Sequence, residues 1–174
     1  VPSSFTKDFV LPSILQNDGV EGIAVINVYD PVILGMVNDL PTPKVFLDTI
    51  PTLTDRRLHG DLLLIEGYCT ESEITESLIL DGHKDIGFLG DICYAQTNKE
   101  RYLGYCACME KYGLAIRPEY CLTKSIDIFS YVKEINAFLD SLPGWPTAFV
   151  CVSDYVAHFV QQYMDENPQR LTHQ

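Results

Sequence analysis

The 174-residue sequence has few basic residues and lacks the residue spacings that mark a metal site. Its 12 lysines and arginines stand against 24 aspartates and glutamates, which gives a formal charge of −12. Because no basic stripe offsets this charge, the surface would repel a phosphate backbone, and the chain by itself is a poor nucleic-acid binder. None of the 6 cysteines forms a C-x-x-C pair and none of the 4 histidines shows ligand spacing, so we expect no metal site.

Long apolar runs and nucleotide-binding motifs are also missing. No apolar run approaches the length needed to cross a bilayer, and the first residues, VPSSFTKDFVLP, lack the charged-then-apolar pattern of a signal peptide. Neither G-x-G-x-x-G nor G-x-x-x-x-G-K-[ST] is present to hold phosphates, and G-x-S-x-G is absent as well. We therefore expect no membrane partner, no cofactor and no catalytic residues, with the cysteines as small buried side chains in a reducing cytosol.

What the sequence does contain is a regular alternation of apolar runs and amphipathic segments. Hydrophobic residues make up 47% of the chain, enough for a folded core. The apolar runs predict buried strands at 21–27, 44–50, 61–67, 84–90, 119–124 and 146–152. The amphipathic segments predict helices at 31–40, 70–82, 97–113, 127–144 and 153–168. This alternation predicts an α/β fold with a mainly parallel sheet.

Several predicted helices carry start and stop signals. Thr70 and Thr97 each precede a glutamate by three residues, the spacing of a capping box, and Ser153 stands where it can cap the last helix. Gly82 and Gly113 follow the second and third predicted helices and should end them.

Polar side chains gather at the predicted strand ends. Ligands of open parallel sheets bind beyond the carboxyl ends of the strands. The residues there are Asn27, Tyr29, Asp30, Asp48, Glu66, Tyr68, 91–97, 124–127, Ser153 and Asp154. Their carboxylates, hydroxyls and rings suit a small polar molecule better than a phosphate. Tyr94 could stack on a sugar or base face, or be an ordinary exposed loop tyrosine.

Three segments resemble, in order and spacing, the effector-binding domain of LacI/GalR-family bacterial transcription regulators: LILDGHKDIGFLGD, NKERYLGYCACMEKYGL and PTAFVCVSDYVAHFVQQY. Upstream, VEGIAVIN, PKVFLDTI and LLLIEGY are similar to strands of the family's amino-terminal lobe. The resemblance implies a type I periplasmic-binding-protein-like fold, in which two lobes of parallel sheets with flanking helices close on a small effector. We expect part of the amino-terminal lobe in residues 1–83 and part of the carboxyl-terminal lobe in residues 84–174.

The likeness covers nearly all of residues 18–168 but not the whole family pattern. The first strand and helix of the amino-terminal lobe, the helix-turn-helix headpiece, and the strand with Gly-Phe-Asp-Asp after the last helix have no counterpart here. We therefore expect an incomplete domain that begins part-way through a longer protein.

The resemblance also implies a set of ligand-binding residues. Arg101 falls on the family's effector-contacting arginine, and Thr97 falls on a polar contact position four residues earlier, on the same helix face. A guanidinium offers forked donors for vicinal hydroxyls or a carboxylate. Ser153 and Asp154 fall on the family's Asn-Asp pair, with a serine in place of the longer asparagine. Thr97 and Ser153 have an alternative explanation as helix caps, and Asp154 as a charge at a helix N-terminus.

The function implied is that of a non-enzymatic, cytoplasmic sensor. It would bind a small sugar or similar effector within a homodimeric repressor that reaches operator DNA through a headpiece not present in this chain. The alternative is a periplasmic-type sugar-binding protein for a transporter, against which the unpaired cysteines and the missing signal pattern count. A phosphoacceptor domain built on Asp48 lacks the acidic pair and the lysine that such domains need.

Overall fold

The structure, a computed structural model, describes residues 9–16, 19–53, 57–127 and 129–170. Its helices are α1 (Ser13–Gln16), α2 (Pro31–Asn38), α3 (Tyr68–Leu80), α4 (Gln96–Lys111), α5 (Tyr131–Asp140) and α6 (Asp154–Glu166). Its strands are β1 (Ile23–Ile26), β2 (Lys44–Leu47), β3 (Asp61–Leu63), β4 (Ile86–Leu89), β5 (Cys121–Leu122) and β6 (Ala148–Cys151). The predicted strands and helices are all present in the predicted order, mostly shorter than expected, and every strand pairing is parallel.

The chain divides into two compact units. The first comprises the described residues up to Ile65 together with Tyr94–Thr97, and the second comprises Glu66–Cys93 with the described residues from Asn98 onward. This division differs from the predicted boundary after residue 83 in two places: α3, which groups with the second unit, and Tyr94–Thr97, which group with the first. Helix α3 packs within the second unit, where a Cβ on Gly104 of α4 would meet the carbonyl oxygen of Tyr68 at 2.2 Å. Such close contact between α3 and α4 ties the helix to the unit that follows it.

The first unit is built on a three-stranded sheet of order β1-β2-β3. Helix α2 begins at Pro31, as predicted, because the Asp30 carboxylate accepts hydrogen bonds from the amides of Val32 (2.9 Å) and Ile33 (3.0 Å). The apolar side chains of α2 and of one sheet face, with Ile50 and Leu58 from the segment between β2 and β3, form a core that also includes Val25, Ile33, Leu34, Val37 and Phe46.

The other face of the first sheet carries exposed side chains within the described ranges, which differs from the prediction of buried strands. Along β2 the side chains alternate between buried and exposed, and Ile26 of β1, Leu47 of β2 and Leu63 of β3 are all exposed. These three residues are register partners on one face, because Ile26 lies beside Leu47 and Leu47 beside Leu63. The apolar runs were read correctly as strands, but only one of their faces is covered.

The second unit is built on a sheet of order β5-β4-β6, with β4 in the centre. All four residues of β4 are buried, so both of its faces are covered, since successive side chains of a strand point to opposite faces. Phe88 is fully buried and its ring lies 5.3 Å from that of Tyr105 on α4. Tyr105 and Met109 of α4 are both fully buried, so this side of the helix packs into the core of the second unit.

The two helix ends predicted at glycines are confirmed, whereas two of the three predicted helix caps are wrong. The backbone of Gly82 (φ 100°) and Gly113 (φ 65°) is left-handed just beyond α3 and α4. Ser153 caps α6, because its hydroxyl accepts a hydrogen bond from the amide of Val156 (3.3 Å). Thr97 does not cap α4, which already begins at Gln96. Thr70 likewise lies inside α3.

Glu66 takes the capping role that was assigned to Thr70. Its carboxylate accepts hydrogen bonds from the amides of Cys69 (2.6 Å) and Thr70 (3.0 Å) and from the Thr70 hydroxyl (2.9 Å). Because these bonds favour the ionised form, they lower the pKa of Glu66 to about 2. Glu66 thus bonds the first amides of a helix that begins at Tyr68, two residues before the predicted start at Thr70.

Candidate functional site

Arg101 lies at the carboxyl edge of the second sheet. It extends from the second turn of α4 and donates a hydrogen bond from Nη1 to the carbonyl oxygen of Val152, the residue that follows β6. The guanidinium is therefore held at the edge where ligands of parallel sheets bind. Since Ser153 and Asp154 come directly after Val152, three of the five predicted ligand-binding residues lie together in this unit. We name this group of Arg101, Ser153 and Asp154 the Arg101 edge.

Ser153 and Asp154 are both engaged at the start of α6. Ser153 is half-buried and caps the helix, and Asp154 is exposed and accepts a hydrogen bond from the amide of Tyr155 (2.9 Å). A negative charge in the first turn also stabilises a helix through its dipole. The structure thus supports helix capping by Ser153 and a helix N-terminal charge for Asp154. Their roles in ligand binding stay predictions.

Asp91 joins two loops beside the Arg101 edge. It is 4% exposed and accepts hydrogen bonds from the amides of Cys93 (2.8 Å) and Ile126 (3.0 Å) and from the hydroxyl of Ser125 (3.2 Å). Asn98 of α4 donates to the carbonyl oxygen of the same aspartate (2.9 Å). The loops that follow β4 and β5 are therefore tied to one carboxylate, which acts as a structural acceptor.

Glu71 is the residue of the second unit that sequence reasoning missed. It lies in the first turn of α3, is 4% exposed, and its buried Oε1 atom has no hydrogen-bond partner among the described residues. Burial raises the pKa of Glu71, and the positive charge of Arg101 opposes that rise. Its surroundings in the sequence, TESEITES, are polar and gave no signal that this glutamate would be buried.

Tyr94 and Thr97, the other two predicted ligand-binding residues, belong to the first unit. The Tyr94 ring lies 4.6 Å from the ring of Tyr29. The amide of Thr97 donates to the Asp48 carboxylate (3.3 Å), while the buried hydroxyl of Thr97 has no partner among the described residues. Thr97 and Arg101 share helix α4 as predicted, although the first two residues of that helix group with the first unit.

Asp48 is the acceptor around which this second polar group is arranged. Its backbone has a φ of 64°, which is unusual for a residue other than glycine, and it directly follows β2. The carboxylate accepts hydrogen bonds from the amide of Thr49 (2.8 Å) and the hydroxyl of Tyr29 (3.3 Å). Burial, followed by the charge of Asp48, raises the pKa of Tyr29 to about 12. The Asp48 carboxylate thus accepts from three donors at the end of β2, with the Tyr29–Tyr94 ring pair beside it.

Three further features bear on function: metal-binding groups, free thiols and membrane-spanning helices. The described residues contain no group of three or more histidine, cysteine, aspartate or glutamate side chains that could hold a metal ion. All six cysteines are free. Cys108 is buried as expected, the other apolar-flanked cysteines are half-buried, and the expectation is wrong for Cys69 and Cys93, which are exposed. No helix in the described part of the chain is long and apolar enough to cross a membrane.

Residues 61–170 match the family described as periplasmic binding proteins and sugar binding domain of LacI family. The chain belongs to this family. Among curated proteins, the transcriptional repressor PurR of Glaesserella parasuis is 31% identical over 79% of this chain and 39% of its own length. The maltose regulon regulatory protein MalI of Escherichia coli is 28% identical over 83% of the chain and 42% of its own length. The chain therefore spans less than half the length of these relatives.

Solved structures of LacI-type regulators share the fold. The transcription regulator CcpA of Lactococcus lactis aligns with a TM-score of 0.70 at 19% identity, over 90% of this chain and 55% of that one. The regulator CelR in complex with cellobiose aligns with a TM-score of 0.69 at 19% identity, over 88% of this chain and 46% of that one. These likenesses confirm the predicted periplasmic-binding-protein-like α/β fold.

Proposed function

We propose that this chain is the effector-binding part of a LacI-type transcriptional regulator, and that a small sugar or related metabolite binds at the Arg101 edge. The observation that carries the proposal is the position of the Arg101 guanidinium, held beside the end of β6 in a chain of the sugar-binding family. Its remaining N–H donors suit the vicinal hydroxyls of a sugar. Thr97, Ser153, Tyr94 and Asp154 are proposed as further contacts.

The rest of the proposal concerns the protein as a whole. Its relatives are a transcriptional repressor and a regulatory protein rather than enzymes, which supports a non-catalytic, cytoplasmic sensor. Operator DNA would be bound through a headpiece outside this chain, in a homodimer. A net charge of −12 is consistent with DNA binding being supplied by another segment. The alternative of a solute-binding protein for a transporter is not favoured, because the matched curated relatives are regulators.

Calorimetric titration of the full protein with a panel of cellobiose, maltose, ribose and free nucleobases tests the effector site. We expect at least one panel member to bind, and Arg101→Ala to weaken its binding at least ~10-fold, since a hydrogen bond to a charged group contributes about 1.5–3 kcal/mol. The matched control is Arg117→Ala, which removes a surface arginine paired with Asp85 at 2.9 Å. Equal affinity in wild type and Arg101→Ala would overturn the assignment of the Arg101 edge.

A further inference from the structure

A groove formed by α5 and the start of α6, in the second unit, exposes aromatic rings. The ring of Tyr155 lies 5.9 Å from that of Tyr131 and 4.6 Å from that of Phe159. Tyr155 is 60% exposed, and it lines the groove together with Tyr131. The volume of the groove, which we name the Tyr155 groove, is about 650 Å³. Exposed tyrosines beside a concave surface are typical of protein–protein contacts, where aromatic side chains are enriched.

The charge of the Tyr155 groove differs from that of the chain as a whole. Each chain carries a formal charge of −12, so two copies repel each other over most of their surface. Among the described residues that line the groove, the charged side chains are one lysine, Lys133, and one aspartate, Asp140. The lining is therefore neutral, and charge repulsion opposes a contact between two copies least at such a surface.

The two charges also make the groove complementary to itself. Lys133 and Asp140 both line the groove from α5, and a separation of seven residues places them about 10.5 Å apart along the helix axis, on the same face. When two α5 helices pack antiparallel across a two-fold axis, Lys133 of each copy meets Asp140 of the other. Lys133 forms no ion pair within the described ranges, and Asp140 is exposed although it pairs with Arg170 at 3.1 Å.

We propose that the Tyr155 groove is a contact surface between two copies of this chain, with the two α5 helices antiparallel and Tyr155 buried in the contact. The inference rests on the homodimer of the proposed function and adds the surface through which it forms. Ala137, a small exposed residue that lines the groove between Lys133 and Asp140, lies near the two-fold axis. Because a two-fold contact uses the same surface on both copies, it closes at two chains.

Sedimentation of the full protein over a concentration series, without sugar, measures the dissociation constant of the dimer. We expect Tyr155→Asp to raise this constant at least ~30-fold, since a few buried aromatic side chains carry most of the binding energy of an interface. The helix should tolerate the change, because an aspartate suits the first turn of α6. The matched control is Leu80→Asp, which adds the same charge at a 71% exposed apolar side chain of α3 outside the groove and should leave the constant unchanged.

A charge exchange at the ends of α5 tests the antiparallel arrangement and does not depend on the Tyr155 variant. Lys133→Glu and Asp140→Lys should each weaken self-association, because each places like charges opposite one another. An equal mixture of the two variants should associate more tightly than either variant alone, since both pairs across the contact are then attractive. A dissociation constant unchanged by Tyr155→Asp, or a mixture no tighter than either variant, would overturn the contact.

The sugar site is tested independently of the dimer. Arg101→Ala lies outside the Tyr155 groove, so it should weaken sugar binding while leaving the dissociation constant of the dimer as in wild type. A wild-type protein that stays monomeric at every concentration would overturn the contact and the homodimer together. Loss of sugar binding in Arg101→Ala would still support the effector site in that case.

Discussion

The two parallel sheets differ in how much of their apolar surface the chain covers. In β4 of the second sheet every residue is buried, whereas in β2 of the first sheet only Lys44 and Phe46 are buried and the alternate positions are exposed. Both strands come from short continuous apolar runs in the sequence. An apolar run therefore identifies a strand, but the helices that pack on it decide whether one face or two are covered.

The largest effect is expected at the strand covered on both faces. Phe88→Ala should lower the free energy of unfolding of the second unit by about 3–5 kcal/mol, because it leaves a cavity beside the rings of Tyr102 and Tyr105. Chemical denaturation followed by circular dichroism measures the change. The control is Phe129→Ala in the same unit, where a 77% exposed ring contributes little. Similar losses in the two variants would show that β4 is not the centre of the core.

A smaller effect is expected from the buried lysine of the first sheet. The ammonium group of Lys44 donates to the carbonyl oxygens of Asn38 (3.3 Å), Leu40 (2.6 Å) and His59 (3.3 Å). Lys44→Met should lower the free energy of unfolding by about 1–3 kcal/mol, because buried acceptors lose their donor. Thermal unfolding of this variant beside Lys99→Met, which changes an exposed lysine of α4, measures the difference. An unchanged midpoint for Lys44→Met would contradict the bonded arrangement.

The helix starts of the two units give a third contrast. Ser153→Ala should cost about 1 kcal/mol of stability, because α6 loses its capping hydroxyl. Thr97→Val should be neutral or stabilising, since the buried Thr97 hydroxyl has no partner within the described residues and valine has the same shape. Urea titration of both variants separates these outcomes. A larger loss for Thr97→Val than for Ser153→Ala would restore Thr97 as a cap or as part of a buried network.

The smallest effect is expected on the open face of the first sheet. Leu63 is 58% exposed, so Leu63→Thr should change the free energy of unfolding by no more than about 0.5 kcal/mol. Threonine is β-branched and suits a strand. Phe46→Ala, on the covered face of the same sheet, serves as the sensitive reference. If Leu63→Thr cost more than about 2 kcal/mol, the face would be covered in solution and the two sheets would be alike.

The sequence was informative where the pattern is local. Strand and helix order, the left-handed glycines after α3 and α4, and the Ser153 cap each depend on a few neighbouring residues, and all were predicted. The family resemblance also directed attention to Arg101, which the structure places at a strand end. These features could be read from one sequence because spacing along the chain determines them.

Features that depend on distant contacts were not predicted. Thr97 was expected to cap a helix, but its amide instead donates to Asp48, 49 residues earlier in the chain. Glu71 was not singled out from the sequence, yet its side chain is only 4% exposed in the structure. The open face of the first sheet was missed for the same reason, since a strand's sequence does not state which elements pack on it.

The three hydrogen bonds to the Asp91 carboxylate have a consequence for binding thermodynamics. They restrain the turn after β4 and the segment around Ser125 before any small molecule arrives. A binding edge whose backbone is already ordered loses little conformational entropy on complex formation. Association at this edge should therefore show an entropy term dominated by released water rather than by loop ordering.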